Sequence, residues 1–289
     1  MLTRQPIVAR KRLGQNFLHD LTVIRRIVAS LDLDTTDIVL EIGCGTGALT
    51  QHLALKPRQF IGVELDKNLF QRLEDQYASS SVLFLNQNIL ELELTALMRK
   101  LQLPSGKLKV VGNLPYYISS PIIEWLGRQA TMIESATIML QAEVADRLMA
   151  SPGSKEFGVL TLLAGYYFTC TKLMEVRPGA FRPAPKVYST VLRLEPKTQH
   201  TLDLDQELAF FAFIKQSFSQ RRKTLWNCLK GSVDKRSLEA LLDRLGHPPD
   251  CRAEALSLED FITLFRHLPT EAASRIEVAK NIPSNVEKC

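Results

Sequence analysis

The run Ile38-Val39-Leu40-Glu41-Ile42 is short, apolar and β-branched, and it breaks at once into Gly43-Cys44-Gly45-Thr46-Gly47. A second such run, Gln59-Phe60-Ile61-Gly62-Val63-Glu64, follows after a helix-length mixture of polar and apolar residues. Strand, glycine turn, helix and strand in that order make a βαβ unit, two parallel strands joined by a right-handed crossover. The pattern recurs at Val82-Leu83-Phe84-Leu85, Lys109-Val110-Val111-Gly112 and Ala136-Thr137-Ile138-Met139-Leu140, each ending near a polar or turn residue. The spacing therefore predicts an α/β fold with a doubly wound, mostly parallel sheet.

In such a sheet ligands collect beyond the carboxyl ends of the strands, and Gly43, Glu64, Asn88 and Asn113 all fall there. Beyond Arg193-Leu194-Glu195-Pro196 the strand character is lost, and apolar residues take helical spacing over Leu208 to Phe218, Leu238 to Leu245 and Leu258 to Leu268. Ser257 with Asp260 fits a helix-opening capping box, and Leu245-Gly246-His247-Pro248-Pro249 a helix stop. The expected division is a domain over 1–199 with a basic arm at 1–12, a small all-helical domain over 200–270, and a tail over 271–289 short of apolar periodicity.

At 289 residues and 45% hydrophobic, the chain can bury a large core without covalent staples. Its five cysteines are scattered and never form a Cys-x-x-Cys pair, so neither a disulfide framework nor a metal site is expected, and a reducing cytoplasm is the natural compartment. No apolar run reaches the roughly 18 residues of a membrane span; the nearest, Gly158 to Phe168, is short and broken by Thr161. The N-terminus has no apolar stretch behind its cations, which excludes a secretory signal, and it is poor in Ser for an organellar transit peptide.

The net charge of +5 is concentrated at one end, where residues 1–26 carry six basic side chains, among them Arg10, Lys11 and Arg12, against Asp20 alone. A second knot, Arg221-Arg222-Lys223, lies beside Phe218 and Trp226. Basic patches with aromatics suit a nucleic-acid partner, while either patch taken alone is equally a solvated surface.

Gly43-x-Gly45-x-x-Ala48 satisfies the glycine fingerprint of dinucleotide sites, so the loop alone admits a nicotinamide cofactor or another adenosine cofactor, or a tight turn with no ligand. Glu41 discriminates, because a carboxylate beside the loop repels a pyrophosphate and attracts a cation. S-adenosylmethionine, with its sulfonium and ammonium, has that charge. Glu64 lies 21 residues after Gly43, where an acidic residue holds ribose hydroxyls, and Asp66 is close enough in sequence to share that role. An oxidoreductase would also need a hydride-site acid, and His19, His52, His200, His247 and His267 read as surface or capping residues.

Asn113-Leu114-Pro115-Tyr116 suits an amino group on a flat ring. The exocyclic amine of adenine is a poor nucleophile because its lone pair is delocalised, so a catalyst must accept its hydrogen bonds and favour a pyramidal nitrogen. Asn113 offers one acceptor and the Leu114 carbonyl a second; Pro115 stiffens the turn and Tyr116 stacks on the ring. Deprotonation follows readily once the methylated nitrogen carries charge, so no strong base is required. The competing reading is an ordinary Asn-Pro turn with a core aromatic beside it.

From about Arg12 to Leu268 the chain resembles the ribosomal RNA adenine dimethyltransferases, which modify two adjacent adenosines near the end of small-subunit RNA. The resemblance rests on Gly14-Gln15-Asn16-Phe17-Leu18, the Glu41 to Thr50 loop, Val63-Glu64-Leu65-Asp66, Asn113-Leu114-Pro115-Tyr116-Tyr117-Ile118-Ser119, Gln141-Ala142-Glu143-Val144-Ala145-Asp146-Arg147-Leu148 and Phe181-Arg182-Pro183-Ala184-Pro185-Lys186-Val187. It implies a Rossmann-like methyltransferase domain followed by a helical RNA-binding domain, S-adenosylmethionine as cofactor, and 16S rRNA in an immature small ribosomal subunit as substrate. By the same resemblance Asn16 and Leu18 close the cofactor pocket, Gly43 supports the methionine moiety, Glu64 binds the ribose and Asn88 faces the cofactor adenine. Asn113 then touches cofactor and target base, Phe181 stacks on the target opposite Tyr116, and Phe218 to Leu225 is an RNA-facing helix.

Three positions depart from that family's pattern: Asn88 where Asp is usual, Tyr117 where Asn is common and Tyr188 where Asp is common. Asn88 keeps an oxygen for the cofactor but loses the strength of a charged acceptor, so weaker cofactor binding is expected. Two other functions remain in view, large-subunit rRNA adenine methylation of the macrolide-resistance type and a non-catalytic ribosome-assembly role. The basic run at Arg221 and the stretch Arg252-Ala253-Glu254-Ala255-Leu256-Ser257 look more like the small-subunit family, and intact Asn113, Tyr116 and Phe181 oppose a non-catalytic role.

Overall fold

Each of the five runs read from the sequence as strands becomes one. The strands are β1 (Phe17–Leu18), β2 (Ile38–Ile42), β3 (Gln59–Val63), β4 (Leu83–Leu85), β5 (Leu108–Asn113), β6 (Ile133–Gln141), β7 (Phe168–Val176), β8 (Phe181–Arg182) and β9 (Ser189–Pro196). The computed structural model describes residues 9–10, 14–103, 106–198 and 202–267. The basic residues Lys11 and Arg12, most of the 1–12 arm and the 271–289 tail lie outside them. The chain divides into two compact units, residues up to Asp146 with Tyr167–Lys197, and Arg147–Tyr166 with the residues from Thr198 on. The stretch Arg147–Tyr166, inside the 1–199 span expected for the first domain, thus clusters with the second unit.

In the first unit seven strands are ordered β4-β3-β2-β5-β6-β9-β7, and β1 pairs with β8 in a separate two-stranded ribbon. β2, β3, β4, β5 and β6 run parallel, whereas β9 pairs antiparallel with both β6 and β7. Helix α1 (Leu21–Ser30) leads into β2, helices α2 (Thr50–Leu53), α3 (Lys67–Tyr77), α4 (Leu94–Lys100) and α5 (Ser119–Arg128) connect the parallel strands, and α6 (Ala142–Leu148) follows β6. Parallel strands need their faces covered, and α1 buries Ile24 and Ile27 while α3 buries Leu69 and Leu73. The helix expected after the glycine loop shortens to the four residues of α2.

Strand order reverses beside β2, so the crevice for a ligand opens at the carboxyl ends of β2 and β5. The register sets Ile42 opposite both Val63 and Gly112, and the next residue of each strand, Gly43, Glu64 and Asn113, emerges at one level. The approach of β2 to β5 is close there. A Cβ on Gly112 would lie 2.7 Å from the Ile42 carbonyl oxygen, so only glycine lets the strands deliver Asn113 to this spot.

The second unit is helical, with α7 (Val159–Tyr167) running up to its boundary and α8 (Leu204–Ser217), α9 (Leu225–Leu229), α10 (Lys235–Arg244) and α11 (Leu258–His267) forming its body. Phe210, Phe213 and Phe261 are buried in its core. The capping box forms in full, the Ser257 hydroxyl accepting from the Asp260 N–H and the Asp260 carboxylate from the Ser257 N–H. Gly246, at a φ of +77°, follows the last residues of α10 as the expected stop. Arg221-Arg222-Lys223 is a different matter: α8 ends at Ser217 with Phe218 as its C-cap and Thr224 caps α9, so the basic run is an exposed turn between helices and not an RNA-facing helix.

Candidate active site

Gly43, Gly45 and Gly47 all adopt positive φ. At Gly43, with a φ of +71°, the chain leaves β2, and its N–H still bonds the Val63 carbonyl oxygen at 2.8 Å, so the turn is anchored to the neighbouring strand. The Gly45 N–H donates to Glu64 Oε2 and the Asp66 N–H to Glu64 Oε1, both at 2.8 Å. A carboxylate has about four acceptor positions, so the loop fixes Glu64 and leaves it two for hydroxyl groups. Burial pushes the Glu64 pKa up, opposed by those two backbone donors.

Asp66 is engaged elsewhere. Its Oδ1 caps α3 through the Asn68 N–H, and its Oδ2 takes the Gln15 amide and the Arg10 guanidinium, each at 3.2 Å. Asp66 is therefore a brace between the N-terminal segment and α3, and it is not among the residues that line the cleft. Arg10, expected to face RNA, is the outer half of that brace.

Glu41 is buried on β2, and the Thr50 hydroxyl donates to its Oε2 at 2.7 Å. Burial pushes its pKa up to about 8, and the Glu64 carboxylate adds to the rise. Burial thus holds Glu41 toward its neutral form, which tempers the attraction for a cation expected from sequence.

At the end of β5 the Asn113 side chain donates through Nδ2 to the Asn16 carbonyl oxygen at 3.0 Å. Its Oδ1 and the Leu114 carbonyl oxygen take no donor among the described residues. The Leu114 N–H bonds the Met139 carbonyl oxygen on β6, which pins the turn. Tyr116 is half-buried, its hydroxyl 2.9 Å from Ser189 Oγ at the start of β9. Burial raises its pKa, opposed by that bond.

Of the residues singled out from sequence, Asn16, Leu18, Glu41, Gly43, Gly45, Glu64, Asn88, Asn113, Leu114, Pro115 and Tyr116 line one cleft of about 970 Å³, part of it open to solvent. Phe181 is not among them. It is 2% exposed, paired with Leu18 in the β1–β8 ribbon and packed in the core, so its expected place across from Tyr116 is not the one it takes here. Asn88 caps the turn Ile89–Glu91 through the Leu90 N–H and donates to Glu91 Oε1 at 3.4 Å. Thr50 and Ser189, which orient Glu41 and Tyr116, carry no sequence signal of their own.

The model of the ribosomal RNA adenine dimethylase family matches residues 8–269. The chain belongs to that family. A small-subunit rRNA methyltransferase A from Geobacter sulfurreducens is 42% identical over 266 residues, covering 91% of this chain and 96% of its own length. The protein of the same description from Lachnoclostridium phytofermentans is 39% identical over 271 residues, covering 91% and 93%. Among solved structures, a dimethyladenosine transferase from Plasmodium falciparum has a TM-score of 0.71 at 25% identity, covering 86% of this chain and 95% of its own. The 23S rRNA methyltransferase ErmE has a TM-score of 0.65 at 27% identity, covering 88% and 99%.

Membership of the dimethylase family makes this an S-adenosylmethionine-dependent methyltransferase, and the cleft fits that cofactor. Glu64 has acceptors left for ribose hydroxyls, Leu65 and Ile89 supply apolar surface for an adenine, and Glu41 offers a carboxyl to a cation. When bound, the cofactor supplies an electrophilic methyl group. Asn113 Oδ1 and the Leu114 carbonyl are the acceptors that the turn after β5 leaves without a donor among the described residues. Among the described residues no His, Cys, Asp and Glu cluster could hold a metal, and no helix is long and apolar enough to cross a membrane.

Proposed function

We propose that this chain dimethylates the exocyclic amines of two adjacent adenosines near the 3′ end of 16S rRNA, presented in an immature small ribosomal subunit in a reducing cytoplasm. The reading rests on the Asn113 amide. Its NH2 is committed to the Asn16 carbonyl, so an oxygen acceptor is left in the cleft that also contains Glu64. In this reading Asn16, Leu18, Glu41, Gly43, Gly45, Glu64 and Asn88 hold the cofactor. Asn113, Leu114 and Pro115 position the amine and Tyr116 stacks on the target ring. Phe181 would take part only after leaving the core, and Arg221, Arg222 and Lys223 contact RNA phosphate from their exposed turn.

The likeness to ErmE supports a second reading, methylation of large-subunit rRNA. The relatives described as small-subunit enzymes are more similar in sequence, which favours the first. The test is transfer of labelled methyl to small subunits lacking the modification, with the methylated bases mapped for the native chain and Asn113→Ala. The native chain is expected to dimethylate two neighbouring adenosines and the variant neither. Labelling confined to large-subunit RNA would replace the first reading with the second, and tight subunit binding without transfer would refute both.

A further inference from the structure

Tyr117 is 52% exposed and Tyr188 46% exposed, and they neighbour in the chain the half-buried Tyr116 and its hydrogen-bond partner Ser189 respectively. Tyr117 follows Tyr116 in the chain and lines the cleft, while Tyr188 precedes Ser189, whose Oγ is 2.9 Å from the Tyr116 hydroxyl. Consecutive Cα atoms are about 3.8 Å apart, so both rings start within one residue step of that fixture.

Neither residue is loosely held. A Cβ on Gly14 would come 3.3 Å from Tyr117 Cδ1, so one edge of that ring is packed against the N-terminal segment while the rest stays open. The Tyr188 carbonyl accepts the Ala142 N–H at 3.0 Å, which pins its backbone to the end of β6. The segment leading to it, residues 182–188, contains exposed Arg182 and Lys186 and no acidic residue. Neither cation forms an ion pair among the described residues.

Aromatic faces interleaved with unneutralised cations suit single-stranded nucleic acid, because every base has a π-face and every linkage a phosphate. We infer that Tyr117 and Tyr188, with Arg182 and Lys186, form a platform that stacks the unpaired bases flanking the target adenosine on the same RNA strand. The inference rests on the function proposed above and adds the substrate's conformation: a base at this distance from the cleft can stack only if its own pairing is open. Because stacking tolerates any base, the platform selects unpaired flanks over a particular sequence.

The test uses the full chain and a short single-stranded RNA with 2-aminopurine beside the target adenosine. Fluorescence of that base and the dissociation constant are read for Tyr117→Ala, Tyr188→Ala and the matching Phe variants. Each Ala variant should weaken binding by about 5- to 150-fold, the equivalent of about 1–3 kcal/mol per stacked base, and lose the quenching of 2-aminopurine. Each Phe variant should retain both. Ala variants that bind and quench like the native chain would overturn the platform and leave the rings as a protein-docking face. Phe variants as weak as Ala would overturn stacking in favour of the hydroxyls. Methyl transfer by the native chain is measured separately, so its failure would refute the proposed function while the binding comparison still decides the platform.

Discussion

Replacing Glu41 with Gln removes a group that the fold holds against its chemistry. In the folded chain burial raises the carboxyl from its ordinary 4.5 to about 8, and the Thr50 hydroxyl offsets only part of that. The gap corresponds to about 5 kcal/mol, at about 1.36 kcal/mol for each pH unit. Because the folded pKa is the higher one, the native state binds more protons between 4.5 and about 8. The contribution of Glu41 to stability is therefore fully present below 4.5, falls as pH rises, and is gone above about 8.

Gln has no proton to lose, so Glu41→Gln should match the native chain in acid and exceed it by as much as about 5 kcal/mol in mild alkali. Urea unfolding of both proteins between about pH 5 and pH 9 reads this directly as a difference in midpoint that widens with pH. The ratio of native to variant affinity for S-adenosylmethionine should rise over the same interval, by at most about tenfold per pH unit. A midpoint difference that does not change with pH would mean that Glu41 is ionised throughout, and the argument from burial would fail.

Ser189→Ala removes the partner of the Tyr116 hydroxyl, and turnover should fall by about 2- to 10-fold, the worth of one neutral hydrogen bond, with cofactor affinity untouched. Tyr116→Phe should cost the same and the double variant no more; additive losses in single-turnover rates would show that the two side chains act separately. Asn88→Asp alone should leave cofactor affinity almost unchanged, because the gain from a charged acceptor is offset by about 1 kcal/mol of repulsion from Glu91 at 3.4 Å. With Glu91→Gln added, calorimetry should show binding about fivefold tighter, and equal affinities for the single and double variants would refute the offset.

What is legible in the sequence is what the chain encodes locally. The runs around Leu40 and Ile61 and the glycines between them dictate strand and turn whatever surrounds them, and Asn113 through Tyr116 follow a strand directly. Contacts between distant residues leave no periodic trace. Ser189 reaches Tyr116 across 73 positions, Arg10 and Gln15 reach Asp66, and β9 enters the sheet antiparallel between β6 and β7. Phe181 shows the limit most plainly, since its motif suggests a stacking ring while pairing with Leu18 turns it into the core. The run at Arg221 is no helix because Thr224 offers its hydroxyl to the Asn227 N–H and starts a new helix there.

An amide looks the same to its neighbours whichever way round it lies, but it does not act the same. Rotated by half a turn, the Asn113 side chain would meet an amine entering the cleft with hydrogens facing hydrogens. The peptide oxygen of Asn16 settles which end faces inward. A small retreat of the N-terminal segment would thus free the amide to present either end to the cleft without altering its shape. Asn113→Asp, which matches that shape, would set two oxygens against each other at 3.0 Å and drive the segment away.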